Sequence, residues 1–210
     1  MSGRDARALL RAMRCLEADG LVIGTVGNGS VRIPGGCRIT PTRMPYRRMR
    51  PRHLVTVADD ASVRGGGRPS SELLLHLAVY AARPDVGAVL HTHSPEATAW
   101  SFLDRPLQPE VEEVRYYAVG GIRTAPAAPA GGRDLALEAV TALGSSGAVL
   151  LGRHGVLVVG ADVAAAAVTA RVVEHQARIA WRVRQAGQAA ASTASGPQRS
   201  MSQASSSRSA

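Results

Sequence analysis

The chain has 210 residues, enough for one domain with a sizeable core, and its 45% apolar content excludes wholesale disorder. No run of about 18 apolar residues is present, and the start MSGRDARALL lacks the apolar stretch of a leader, so neither a membrane span nor export is expected and the location is read as cytoplasmic. The net charge of +9 comes with 25 basic residues that are all Arg, which reads either as codon usage or as an anionic partner such as a sugar phosphate; one Phe, four Tyr and two Trp, with no recognised binding module, argue against nucleic acid.

In chain order, Asp5 to Asp19 carries Ala6, Leu9, Leu10, Met13 and Leu16 at helical spacing and ends at Gly20. The Gly-rich turn Gly27-Asn28-Gly29 runs into a strand ending at Ile33, and Pro34-Gly35-Gly36 turns it into a hairpin. His53 to Ala58 reads as another strand. Gly65-Gly66-Gly67 leads to Ser70-Ser71-Glu72, where a helix starts with Ser70 or Ser71 as its cap and runs to about Ala82. Val86 to His91 is a buried strand, and Ser94-Pro95 opens a helix to about Leu103. Residues 121–132 read as loop, Arg133 to Leu143 as helix, and Ala148 to Leu151 and Val156 to Val159 as strands. Asp162 caps a long Ala-rich helix to about Arg184. The chain then divides into a folded domain, residues 1–186, and a Ser/Ala-rich tail, 187–210, expected to be disordered. The hairpin implies antiparallel pairing, so an α/β fold with a central, mainly antiparallel sheet between helices is expected. Cys15 and Cys37 belong to no cysteine framework and are read as free thiols.

The strongest chemical signal is His91-Thr92-His93 at a strand end. Residues two apart on a strand project to one face, which suits two imidazoles on one metal ion, or simply two polar residues at an edge. His154, in the turn Gly152-Arg153-His154-Gly155, is the candidate third ligand; three histidines with an open position are the donor set of a catalytic zinc. His53, His76 and His175 read as structural. Glu72 at a helix start suits the helix dipole, and equally suits a general acid/base or an exchangeable ligand. Asn28, Thr42, Ser70 and Ser71 lie on loops or at a helix start, where amides and hydroxyls bind phosphate but also cap and turn.

Five stretches taken in order resemble the class II aldolase/adducin family: Gly24 to Arg32, Ile39-Thr40-Pro41, Arg68 to Glu72, Val89 to Ser94, and Arg153-His154-Gly155. The resemblance spans about residues 5–185 and is nearest to the aldolases of ketose 1-phosphates. It implies a three-layer α/β/α fold around the sheet. His91, His93 and His154 would hold one Zn2+ per subunit, and Glu72 would be the catalytic acid/base. Asn28, Ser70 and Ser71, with Thr25 and Thr42, would bind the substrate phosphate. The implied reaction is reversible cleavage of a ketose 1-phosphate to dihydroxyacetone phosphate and an aldehyde through a metal-stabilised enediolate. The resemblance also implies a homotetramer with sites at subunit interfaces.

Three departures from the family pattern bear on substrate choice. Arg43 follows Thr42, and it either crowds the phosphate loop or adds a charge contact. The aromatic residue that assists proton transfer has no clear counterpart: Tyr116 and Tyr117 are near, with sheet packing as their ordinary role. The C-terminal cover of the site has no match. Sugar-phosphate 4-epimerase, decarboxylase and dehydratase chemistry stay open as alternatives. A non-enzymatic adducin-like scaffold is disfavoured by the retained His91, His93, His154 and Glu72.

Overall fold

Helical spacing of apolar residues decides the first element. In the computed structural model, which describes residues 3–103, 105–108, 111–117 and 121–194, α1 (Gly3–Ala18) buries Ala6, Leu9, Leu10, Met13 and Leu16 on one stripe. It stops where Gly20 takes φ +76° and the Leu21 amide reaches back to the Leu16 carbonyl at 2.9 Å.

The next pair, β1 (Asn28–Ile33) and β2 (Gly36–Ile39), forms the expected hairpin, with Ile33 opposite Gly36 and Gly35 at φ +70°. There follow β3 (Val55–Ala58), β4 (Val63–Arg64), α2 (Leu73–Ala82), β5 (Ala88–Thr92), α3 (Pro95–Trp100), α4 (Glu112–Tyr117), β6 (Thr124–Ala125), α5 (Arg133–Leu143), β7 (Ala148–Leu151), β8 (Gly155–Gly160) and α6 (Val163–Ala194). The sheet has the order β4-β3-β2-β1-β5-β8-β7-β6, and every pair is antiparallel except β6 with β7.

Strand periodicity splits the core in two. Val31, Leu90, Leu150 and Val158 pack under α1, α3, α4 and α6; Val89, Val149, Leu157 and Val159 pack under α2 and α5. This is the expected three-layer α/β/α arrangement. In α6, buried Ala166, Ala170, Ala177 and Ala180 form a stripe of small residues, which lets the helix lie close on the sheet.

Three local expectations need correction, and the run from Glu112, for which none was formed, proves helical. Neither Ser70 nor Ser71 is the cap of α2: Glu72 occupies that position, and its amide donates to Ser70 Oγ at 3.3 Å. The run from Glu112 is helical because two glutamates open its first turn while Val114 is buried. The stretch 121–132 contains the short strand β6, tied to β7. The last helix does not stop near Arg184; it runs to Ala194, since Ala and Gln are good helix formers even in a low-complexity stretch. The rest of the expected tail, 195–210, lies outside the described residues.

Candidate active site

His91 lies on β5, which runs between β1 and β8, so it faces Asn28 across one edge and Leu157 across the other. His93 follows directly. His154 arrives from the β7–β8 turn, where Arg153 adopts φ +57° and the His154 amide bonds the Leu151 carbonyl at 3.0 Å. Gly155 closes that turn against Thr92: a Cβ there would stand 2.5 Å from the Thr92 carbonyl and 3.0 Å from His91 Cε1.

The turn and the strand end bring three imidazoles together, with ligand nitrogens within 4.8 Å of one another. Their ring centroids are 4.7, 4.9 and 5.2 Å apart, with planes inclined at 64–72°. His91 Nε2 and His93 Nε2 are 2.9 Å apart. His91 Nδ1–H donates to the Val156 carbonyl at 3.0 Å, which leaves the lone pair on Nε2, the atom that faces the cluster. A zinc ion with Zn–N bonds of about 2.0–2.1 Å spaces its nitrogens about 3.3 Å apart, so small adjustments admit one ion.

Glu72 supplies a fourth convergent group. Its Oε2 is 3.2 Å from His91 Nε2 and its Oε1 is 3.3 Å from His154 Nε2. The carboxylate is buried, and Oε1 accepts no hydrogen bond. An unsatisfied buried oxygen aimed at three imidazoles is what a site shaped for a cation looks like from the protein side.

Behind Glu72 runs a polar stripe that sequence reasoning missed. Asn28 Nδ2 donates to Glu72 Oε2 at 2.7 Å, and His76 Nε2–H donates to Asn28 Oδ1 at 2.5 Å. Ser30 Oγ is 2.7 Å from His76 Nδ1 and 2.8 Å from the Tyr80 hydroxyl. Arg32 then donates to the Tyr80, Arg83 and Val86 carbonyls, satisfying the C-terminal end of α2. The signal was present as two periods: Asn28, Ser30 and Arg32 are spaced by two on a strand, and Glu72, His76 and Tyr80 by four on a helix.

These environments set the charges. Burial lowers the His76 pKa to about 3, and burial followed by repulsion from His91 and His154 lowers that of His93 to about 4. Burial also lowers His91. Burial thus favours the neutral form of His91 and His93, the form that binds a metal. For Glu72, burial pushes the pKa up, but the fields of His91 and His154 and the hydrogen bond from Asn28 outweigh it, and the carboxyl stays below its ordinary value.

The phosphate candidates are only partly assembled. Two loops are bound together: the Thr42 amide donates to the Arg68 carbonyl at 3.1 Å and the Ser70 amide to the Thr40 carbonyl at 3.0 Å. This antiparallel pairing sets Thr40 opposite Ser70 and Thr42 opposite Arg68, on the loop that leads into α2. Ser70 is buried, Ser71 is exposed, and Thr25 is exposed on the turn before β1. Asn28 is buried with both ends of its amide engaged. Arg43 is exposed at φ +56°, and Arg47, Arg48, Arg50 and Arg52 are exposed too.

Sheet packing is not the role of Tyr116. It lies on α4 and is 79% exposed, because its neighbour Val114 supplies the buried side of that short helix. The Tyr117 side chain lies outside the described residues. His53 bonds the Arg50 amide and His175 is exposed, so neither joins the cluster. Both cysteines are free, Cys15 exposed and Cys37 buried.

Residues 7–181 match the family described as Class II Aldolase and Adducin N-terminal domain. A 5-methylthioribulose-1-phosphate/5-deoxyribulose-1-phosphate aldolase of Rhodospirillum rubrum is 37% identical over 174 residues, covering 83% of this chain and 79% of that protein. An L-fuculose phosphate aldolase of Escherichia coli is 39% identical over 168 residues, covering 79% and 78%. A solved L-fuculose 1-phosphate aldolase superposes with a TM-score of 0.85 at 29% identity, covering 89% of each chain. With the histidine cluster already in place, these matches make the chain a member of the class II aldolase and adducin N-terminal domain family, a carbon–carbon lyase of its aldolase branch.

Proposed function

We propose that the protein reversibly cleaves a ketose 1-phosphate into dihydroxyacetone phosphate and an aldehyde, using one zinc ion held by His91, His93 and His154 and using Glu72 to move the proton. The observation that carries this reading is the buried Glu72 carboxylate, with one oxygen unsatisfied, set against the cluster of His91, His93 and His154. The phosphorylated ketoses named for the relatives support the substrate class.

A divalent ion bound there supplies a Lewis acid for the negative charge that develops on the substrate carbonyl oxygen. The chain's own residues do the rest. When the carbon–carbon bond breaks, the electron pair stays on the ketose fragment and the neighbouring hydroxyl gives up its proton to solvent as it becomes the aldehyde carbonyl, so that the proton later added to carbon restores the balance. Glu72 returns a proton to the carbon that kept the pair, and removes it in the reverse direction. Ser70, Ser71, Thr25 and Thr42 receive the phosphate with their hydroxyls, since the Ser70 and Thr42 amides already bond carbonyls of the paired loops. Asn28 joins them through the second hydrogen of Nδ2, the first staying on Glu72.

Assembly as a homotetramer with sites at subunit interfaces, in the cytoplasm, belongs to the same reading. The exposed apolar residues Ile23 and Val26, on the loop that feeds Asn28, and Phe102 after α3 support an interface near the site. Among the described residues no helix is long and apolar enough to cross a membrane.

The test is a retro-aldol assay on a panel of ketose 1-phosphates, with and without a chelator, detecting dihydroxyacetone phosphate. Chelator-sensitive release that returns with zinc is expected. No release from any member by zinc-loaded protein would sink the cleavage reading and turn attention to 4-epimerase, decarboxylase or dehydratase chemistry.

A further inference from the structure

The polar stripe between β1 and α2 has a direction. The Glu72 carboxylate only accepts, so the Asn28 group beside it, 2.7 Å away, is Nδ2. The other end of that amide, Oδ1, only accepts, so His76 carries its proton on Nε2. His76 Nδ1 is then an acceptor and takes the Ser30 hydroxyl proton; Ser30 Oγ in turn takes that of Tyr80. Each assignment forces the next, and every donor points toward Glu72.

The stripe is also a dead end. His76 and Ser30 are fully buried, and Tyr80 is 4% exposed with the Arg32 guanidinium 4.6 Å over its ring. It offers no path for a proton to solvent, so its contribution is orientation. Asn28 is the joint of the arrangement: a side-chain amide turns over easily unless both ends are bonded, and a reversed Asn28 would present Oδ1 to the carboxylate.

We infer that His76 is a positioning residue for the Glu72 carboxylate, acting through the Asn28 amide. His76 Nε2–H fixes which end of Asn28 meets Glu72, and Asn28 then holds Oε2 while Oε1 stays unbonded toward the histidine cluster. The matched spacings, two on the strand and four on the helix, keep the register of β1 and α2, and with it the place of the carboxylate relative to His91 and His154. This role rests on the reading of Glu72 as the proton carrier.

Three variants of the full-length protein, loaded with zinc, test it: His76→Leu, His76→Gln and Glu72→Gln, each assayed for kcat, KM and bound metal. Leu fills similar space with no donor, whereas the Gln amide can place an N–H near the position of Nε2. His76→Leu is expected to lower kcat about tenfold or more, with metal content full and KM within about twofold, and His76→Gln to recover most of that loss. Equal losses in both His76 variants, or a loss confined to KM, would overturn the positioning role. An unchanged kcat in His76→Leu would overturn it alone, provided Glu72→Gln is crippled; normal turnover in Glu72→Gln would sink the proton-transfer reading and this role together. Should His76→Leu fail to fold, the 15N spectrum of the native His76 ring decides: a neutral Nε2–H tautomer is required, and an Nδ1–H tautomer would refute the inference.

Discussion

His91 Nδ1 and the Val156 carbonyl, 3.0 Å apart on neighbouring strands, decide how the histidine cluster is built. The carbonyl belongs to the strand that leaves the His154 turn, so one hydrogen bond both selects the His91 tautomer and ties β5 to the element carrying the third imidazole. The cluster thus draws His91 from a strand, His93 from the residue after it, and His154 from a turn.

The three imidazoles accordingly act as a set. His93→Ala is expected to lose bound metal and activity together, since two histidines and a carboxylate leave the ion without its third nitrogen. Metal analysis of the purified variant checks this. A full load of zinc in His93→Ala would remove that residue from the ligand set.

Glu72 separates metal binding from chemistry. Glu72→Gln preserves the shape and, with its amide oxygen toward Asn28, a hydrogen bond, but it removes the group that takes up and releases the proton. The expected result is full metal and a kcat lowered by about 10²-fold or more, the usual scale for a lost general acid/base. Steady-state kinetics on a zinc-loaded sample provides the measurement, and near-normal turnover would assign the proton to another group.

The layers of the fold and the clustering of His91, His93 and His154 were legible in the sequence, the first two of these histidines through a local signal. The stripe of Ala6, Leu9, Leu10, Met13 and Leu16, the Pro34-Gly35 turn, and two histidines at a strand end each state their geometry within a few residues. The stripe behind Glu72 was not legible, since it pairs residues 44–50 positions apart and only the register of α2 on β1 brings them together. His76 lies outside the histidine cluster, and its contact with Asn28 had no local sign. The end of α6 was misread for a different reason: Ser, Ala and Gln describe a disordered tail by composition, while Ala and Gln also propagate a helix already docked at Val173, Ala177 and Ala180.

Gly155 gives a prediction about space. It sits where the β7–β8 turn crosses Thr92, and an added methyl would meet both the Thr92 carbonyl and the His91 ring. Gly155→Ala is expected to weaken zinc binding at least about tenfold by displacing His91 from its partner carbonyl, comparable with losing an outer hydrogen bond to a ligand. Titration with a competing chelator measures it. An unchanged affinity would mean that the turn moves without carrying His91 along.

The buried His76 also makes the fold sensitive to acid. In the unfolded chain its imidazole takes up a proton near its ordinary pKa of 6.5, while in the folded protein burial holds it neutral down to about 3. Between those values the unfolded state binds the extra proton, so falling pH favours unfolding: the contribution of this residue is fully present above 6.5, declines as pH drops, and levels off below about 3. By about pH 5 the loss amounts to about 2 kcal/mol, large beside the 5–15 kcal/mol typical of a domain, roughly stated. Urea unfolding of the apo-protein across this range is expected to show the decline, and His76→Gln, which cannot take up the proton, should make it shallower, His91 and His93 supplying the slope that is left. Parallel pH curves for the two proteins would show that His76 is not the residue through which acid acts.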